Sequence, residues 1–343
     1  MILYMFFASM ELYLFRDFDW RAQYNCGYHT HDFWLAEGSV NKPLGYWYLI
    51  SGIIYMIPYI PCLLVMLKQD LFKNSCYKIM FFLGLIDFFT LGINAVLTGL
   101  LTIDGAVMCT YPRLIYVTGC IGMSLWCMAC LTCVILAFNR CVDLWEQKLM
   151  WHLFNGHKTY LWLCFPILYF LYFCLFTTPV LYTSKGYAWF FDPYAGTDDV
   201  PVLRHQYMNL SHSINNITVV IVLPMLYVFL CCSLCYKARN AHSRNVSTIQ
   251  KQILIQSCSI CAFNLIASII YVVMQFVKTD VVFIVIGQIT WQASHGGAAI
   301  VYLTLNHTIR NRVFQLVTRG KWKTSRVHAT HTDMHDYSQH FVL

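Results

Sequence analysis

Between Leu114 and Phe138 the chain runs 25 residues without a charged side chain. That length crosses a hydrocarbon core about 30 Å thick. In such a core the backbone must satisfy its own hydrogen bonds, so the stretch is a spanning helix. Pro112 suits its first turn, where no N–H partner is lost. Gly119, Gly122, Trp126, Cys130, Cys133, Ala137 and Arg140 follow one another in steps of three and four, which places them along one side of the helix. Most are small, and small residues let neighbouring helices approach closely in lipid. The stripe ends in an arginine at one membrane face, and Cys109 precedes the helix at the other. This is the pattern of a central helix packed on several sides.

The other apolar runs fit the same plan. The chain is 58% hydrophobic and 11% charged, against roughly 25% charged for a soluble protein, so it is an all-α polytopic membrane protein. Seven spans are expected: 44–67, 77–101, 112–138, 160–181, 213–235, 252–276 and 281–305. Pro58, Pro61, Pro166, Pro179 and Pro224 fall inside them, where neighbouring helices can satisfy freed carbonyls. No internal repeat is visible, which argues against a duplicated transporter plan. Residues 1–43 form an N-terminal segment whose opening apolar run lacks a basic flank, so a cleaved signal peptide is not expected. Residues 44–305 form the bundle and 306–343 a tail. Alternate loops hold 16 and 7 of the 23 Lys and Arg residues; the positive-inside rule then puts the N-terminus outside and the C-terminus inside. Residues 307–318 have the pattern of an amphipathic helix on the inner leaflet. Beyond Arg319 the tail is polar and His-rich, which suggests disorder, with metal binding the minor alternative. Cys127, Cys130 and Cys133 have zinc-like spacing but sit in an apolar helix, so packing is expected there, and no metal or cofactor.

A few polar residues stand out. Asp87 is the one acidic residue within a span, and an ionisable group there is functional by default. It lies ten residues from Tyr77, about 15 Å deep at 1.5 Å per residue. His295 lies eleven residues from Asn306 on a span running the opposite way, so the depths match and an Asp87–His295 pair linking the second and seventh spans is expected. The plain alternative is that each bonds a backbone carbonyl or a water. Gln288, Trp291, Gln292 and His295 share one face of the last span and should turn inward. They either line a pocket, with Met123, Trp126 and Gln275, or bond neighbouring helices. Asn209-Leu210-Ser211 is a glycosylation sequon close to the fifth span; the sequons at Asn216, Asn245 and Asn306 are taken as chance.

Several stretches together resemble the nematode serpentine receptors of class T, which are rhodopsin-like seven-helix chemoreceptors. They are Tyr24-Asn25-Cys26 with Trp34; Cys76 to Met80 leading to Ile86-Asp87; Cys109-x-x-Pro112 with Ile115-Tyr116 and Gly119; Trp126; and Asn139-Arg140-Cys141-x-Asp143-Leu144. Phe191-Asp192-Pro193, Gly287-Gln288-Ile289-x-Trp291-Gln292 and Tyr302 to Arg310 complete the set. The resemblance covers nearly the whole chain. It implies a plasma-membrane receptor, in sensory cilia, that binds a small extracellular molecule such as an odorant or pheromone and couples to a heterotrimeric G protein. Its partners would be that ligand, the G protein and the bilayer, with no nucleic acid and no enzymatic activity. Arg140 becomes a G-protein contact or inactive-state lock, against the plain reading of a snorkelling residue. Asp143 can pair with it, replacing the acid missing at Asn139. The sixth span lacks the wider class's proline, and 296–302 replaces the usual NPxxY, keeping only Tyr302.

Rhodopsin-like receptors tie the top of the third helix to the loop between helices four and five. Here that loop has no cysteine, so the bond implied for Cys109 falls to Cys26, with two free thiols as the alternative. A Cys26–Cys109 staple would make Tyr28 to Trp34 a partial lid over the ligand entrance. Two other function classes compete. A seven-span ligand-gated channel subunit would carry its N-terminus inside, against the Lys and Arg distribution. A membrane hydrolase would need a cluster of intramembrane His and acids, where only Asp87 and His295 are available.

Overall fold

The computed structural model describes residues 10–240, 262–274, 276–277 and 279–318. The bundle comprises α1 (Lys42–Met66), α2 (Ser75–Asp104), α3 (Pro112–Trp145), α4 (Lys158–Phe176), α5 (Leu210–Asn240), α6 (described over Ala262–Met274) and α7 (Val281–Leu305), followed by α8 (His307–Val317). Side-chain caps set several starts. Asn41 accepts from the Leu44 N–H, Asp280 from Val282, and Asn306 from Ile309, each meeting a donor that the first turn leaves unpaired. Gly105, at φ 71°, ends α2 in the left-handed region. Within α2, Gly92–Leu97 widens into a π-helical turn, which breaks the regular carbonyl ladder.

α3 is the hub. Of its most apolar stretch 78% is buried, against 28% in α1 and α4 and 33% in α5. The outer helices show rows of exposed apolar residues, such as Ile50, Ile53, Ile54 and Ile57 on α1 and Leu161, Phe165 and Leu168 on α4. Surfaces of that kind belong against lipid. The stripe on α3 packs as its small residues dictate. A Cβ added at Gly119 would stand 1.8 Å from the Val180 carbonyl oxygen, so only glycine permits that approach. α7 is less apolar than α1 to α5, because it carries Gln288, Gln292, Ser294 and His295, all buried within the bundle.

Three helices depart most from the expected bounds. α3 continues past Phe138 to Trp145. α5 extends beyond both ends of 213–235. α4 stops at Phe176 rather than at 181, so Pro179 lies outside the helix; the proline disfavours helical backbone at Thr178. The chain then forms a short hairpin of β1 (Leu181–Thr183) and β2 (Ala188–Phe190), antiparallel, with Tyr182 opposite Trp189. It is the one strand pair among the described residues and had no alternating signal strong enough to announce it. The expected run 252–276 is described only from 262, and the tail beyond Thr318 lies outside the described residues.

The N-terminal segment folds onto the start of α3 through the short helices Met10–Phe15, Asp17–Gln23 and His31–Glu37. A disulfide joins Cys26 to Cys109, with Cα atoms 5.4 Å apart. Trp20 and Tyr24 meet Tyr116 edge-on at 5.5 and 4.9 Å. Tyr194 and Tyr207 donate to the carbonyls of Asn25 and Gln23, and Lys185 pairs with Glu37 at 2.8 Å. Burial pushes the Tyr207 phenol up to about 12. The segment is therefore a packed cap on the α3 end of the bundle.

Candidate functional site

Beside this cap lies a narrow aromatic cavity of about 20 Å³. Trp126, Trp189, Tyr271 and Trp291 form most of its wall, with Met123, Val180 and His212 completing it. An outer vestibule of about 230 Å³ shares Trp189 and Tyr271 with it and adds Asp192, Arg204 and His205. Arg204 bonds Asp192 Oδ2 at 2.8 Å, so the charges at the mouth are largely matched. No residue from Tyr28 to Trp34 lines either space. The expected lid is therefore corrected: Trp34 is buried, donates to the Cys26 carbonyl and stacks on Tyr194, so the staple holds a cap next to the entrance rather than across it.

The polar handles of the cavity rings turn outward. Trp126 Nε1 donates to Asn216 Oδ1 at 2.9 Å, Trp189 Nε1 to Thr98 Oγ1 at 2.8 Å and Trp291 Nε1 to His295 Nε2 at 3.2 Å. Tyr271 donates its hydroxyl proton to Gln288 Oε1 at 3.2 Å. Gln288 and Gln292, expected as pocket lining, instead send their amide Nε2 atoms to the Asn94 carbonyl, at 2.6 and 2.9 Å. The π-helical turn in α2 explains the change, since a carbonyl without a regular helical partner needs a donor. Gln275 lies outside the described residues. Thus Met123, Trp126 and Trp291 come together in one cavity, and the two glutamines bolt α7 to α2.

Beneath the cavity Trp291 leads into a buried cluster. His295 Nδ1 is 2.7 Å from Asp87 Oδ1. Tyr59 on α1 reaches both Asp87 Oδ2, at 2.9 Å, and the His295 carbonyl. Tryptophan can only donate, so His295 Nε2 accepts and its ring proton is on Nδ1. The Tyr59 hydroxyl is the donor that faces both Asp87 Oδ2 and the His295 carbonyl, so one group of α1 ties the α2 carboxyl to the α7 backbone.

At the other end of α3, Asn139 Nδ2 donates to Ser75 Oγ at 3.0 Å, and Trp145 Nε1 to Ser233 Oγ at 2.6 Å. Arg140 lies partly buried with Nη2 3.6 Å from Met80 Sδ. No ion pair joins it to Asp143, whose residue is exposed; the expected Arg140–Asp143 pair is replaced by the methionine contact among the described residues. Asp70 pairs with Arg312 of α8, and the guanidinium hydrogen bond holds the Asp70 carboxyl below its usual range.

The sequence reading missed Tyr59, Asn94, Trp189, His212, Asn216 and Tyr271. Only the asparagines carried a usable signal, as uncharged polar groups inside spans. The Asn209 sequon is buried, with Nδ2 donating to the Thr178 carbonyl at 2.7 Å, so its amide is engaged in the fold. No group of three or more His, Cys, Asp or Glu is placed to hold a metal ion among the described residues.

Comparison with known proteins agrees with this architecture. A family model described as "Serpentine type 7TM GPCR chemoreceptor Srt" matches residues 8–326. Serpentine receptor class T-55 of Caenorhabditis elegans is 30% identical over 298 residues, spanning 86% of this chain and 80% of that protein. The crystal structure of squid rhodopsin matches with a TM-score of 0.54 at 12% identity, covering 92% of this chain and 95% of that one; at that identity the likeness is one of fold. The hub helix, the seven-helix rhodopsin fold and a family match over nearly the whole length lead to one conclusion: the chain belongs to the serpentine class T family of seven-transmembrane G-protein-coupled chemoreceptors.

Proposed function

We propose that this receptor sits in the plasma membrane of sensory cilia with its N-terminus outside, binds a small odorant- or pheromone-like molecule in the aromatic cavity, and activates a heterotrimeric G protein through the Arg140 end of α3. The observation that carries the reading is the double role of Trp291: it lines the cavity and donates to His295, which bonds Asp87. A ligand that moves the Trp291 ring therefore acts on the contact between α2 and α7, one hydrogen bond away. Such a shift needs only that the ligand bind the two bundle states unequally. The distribution of Lys and Arg supports the orientation. The test is a calcium readout in cells expressing the full chain, challenged with a volatile and pheromone panel, together with antibody access to epitopes at both termini in unpermeabilised cells. A ligand response with only the N-terminal epitope accessible is expected; an accessible C-terminus with an inaccessible N-terminus would favour the channel topology instead.

A further inference from the structure

Most free thiols of the described residues are buried between helices, but Cys164, Cys232 and Cys235 are exposed. The last two belong to one face of α5. Ile217, Ile221, Met225 and Val228 are exposed along that face in steps of four and three, a row that belongs against lipid. Cys232 and Cys235 continue it by four and then three residues, so both thiols face outward with it. Their depth follows from α3. Trp145 Nε1 donates to Ser233 Oγ, and the Trp145 ring stacks on Tyr236 with centroids 6.3 Å apart, which sets the ends of the two helices level. At that level Asp143 and Glu146 are exposed on α3, and Lys237 and Arg239 follow in the sequence of α5. Trp145 and Tyr236 are themselves exposed, as these residues are at a membrane–water boundary. The two thiols therefore stand where hydrocarbon meets headgroups.

We propose that Cys232 and Cys235 form a lipid-modification site, each taking a long-chain acyl group in thioester linkage from an acyl-coenzyme A. The proposal rests on the orientation given above, which puts this end of α5 inside with the acyl donor. The cysteine thiolate is the nucleophile. It attacks the thioester carbonyl of the donor, and the new carbon–sulfur bond forms as the bond to coenzyme A breaks. Coenzyme A leaves as a thiolate and takes up the proton that the cysteine gave up, so nothing is oxidised or reduced. Juxtamembrane cysteines are acceptors for this reversible modification, because the thiol must meet a charged, water-borne donor and the attached chain must enter the bilayer. Both conditions hold here. The charged boundary beside Lys237 and Arg239 is within reach of the donor, and the row through Val228 and Met225 gives the chain a path along α5 into the inner leaflet. Cys164 meets only the second condition. It is exposed on α4 but lies six residues beyond Lys158, about 9 Å deep at 1.5 Å per residue, and no charged residue follows it in that helix.

The experiment expresses the tagged full chain in animal cells supplied with an alkyne-bearing palmitate analogue. The receptor is purified, the alkyne is coupled to a fluorophore, and part of each sample is treated with neutral hydroxylamine, which cleaves thioesters. The wild type should carry label that hydroxylamine removes. Cys232→Ser combined with Cys235→Ser should bring the label down to the level of cells given no analogue, and Cys164→Ser should leave it unchanged. Peptide mass spectrometry of the wild-type receptor should find the acyl group on residues 232–235, a result that does not depend on delivery of any variant. Absence of hydroxylamine-sensitive label from the wild type, full label on the double variant, or loss of label in Cys164→Ser would overturn the proposal while leaving the orientation in place. A C-terminal epitope accessible in unpermeabilised cells would overturn the orientation and the proposal with it.

Discussion

Asp87 Oδ1 stands 2.7 Å from His295 Nδ1, and both side chains are buried where α2 meets α7. Two spans separated by more than two hundred residues are thus held by a pair that Tyr59 of α1 and Trp291 of α7 complete.

An amide has nearly the shape of a carboxyl and can replace it in this geometry. Asp87→Asn should keep most of the stability, with Nδ2 donating to Tyr59 and Oδ1 accepting from His295. Asp87→Ala leaves buried partners unpaired and should cost about 1–3 kcal/mol. Asp87→Ala and His295→Ala should together cost less than the sum of the single changes. Thermal melts of the wild type and the four variants decide; a large loss in Asp87→Asn, or strict additivity, would contradict the shared network.

Two glycines give a contrast within the core. Gly119→Ala forces a methyl group into the Val180 carbonyl, whereas nothing lies within 4 Å of a Cβ at Gly92. Gly119→Ala should lower surface delivery sharply, in the range of overpacking costs of about 1–3 kcal/mol or more. Gly92→Ala should be neutral or slightly stabilising, because alanine favours helix over glycine. Flow cytometry of tagged receptors reads both.

Removing the staple should loosen the cap without dissolving the bundle. Cys26→Ser and Cys109→Ser should lower stability equally, by about 2–4 kcal/mol in the chain-entropy account, and the double variant should match either single one. Peptide mapping of the intact protein should recover the two cysteines linked, and unequal single effects would indicate separate roles.

Much of this was legible in the sequence, for identifiable reasons. The α3 stripe was clear because a helix buried on several sides repeats its small residues at three and four. The Asp87–His295 contact was legible because ionisable groups in lipid are few and depth can be counted from the ends. The cavity was not, because tryptophans and tyrosines occur in lipid-facing, cap and cavity positions alike, and spacing does not sort them. Gln288 and Gln292 misled because no residue pattern announces the π-helical turn around Asn94, whose carbonyl takes both amides. The hairpin and the early end of α4 depended on Pro179 acting on Thr178, which an apolar run of that length concealed.

The contact between Asp70 and Arg312 sets a pH limit on α8. Its partner holds the Asp70 carboxyl below the ordinary value of about 3.9, so the contribution of the pair is complete above that value and is lost as pH falls through the depressed one. Because the Asp70 side chain is 59% exposed, the effect is small. Hydrogen exchange in α8 should match between wild type and Asp70→Asn at acidic pH well below the carboxylate range, and diverge in favour of the wild type at pH 5 to 7. Identical exchange at pH 7 would remove the tether.

The most direct measurement is guanine-nucleotide exchange on a heterotrimeric G protein, catalysed by the full chain in nanodiscs with and without an activating ligand identified by the cell panel. The account predicts ligand-dependent exchange that Arg140→Ala abolishes while ligand binding and folding persist. Full exchange by correctly folded Arg140→Ala, or no exchange on any G-protein class by a ligand-saturated wild-type receptor, would contradict it.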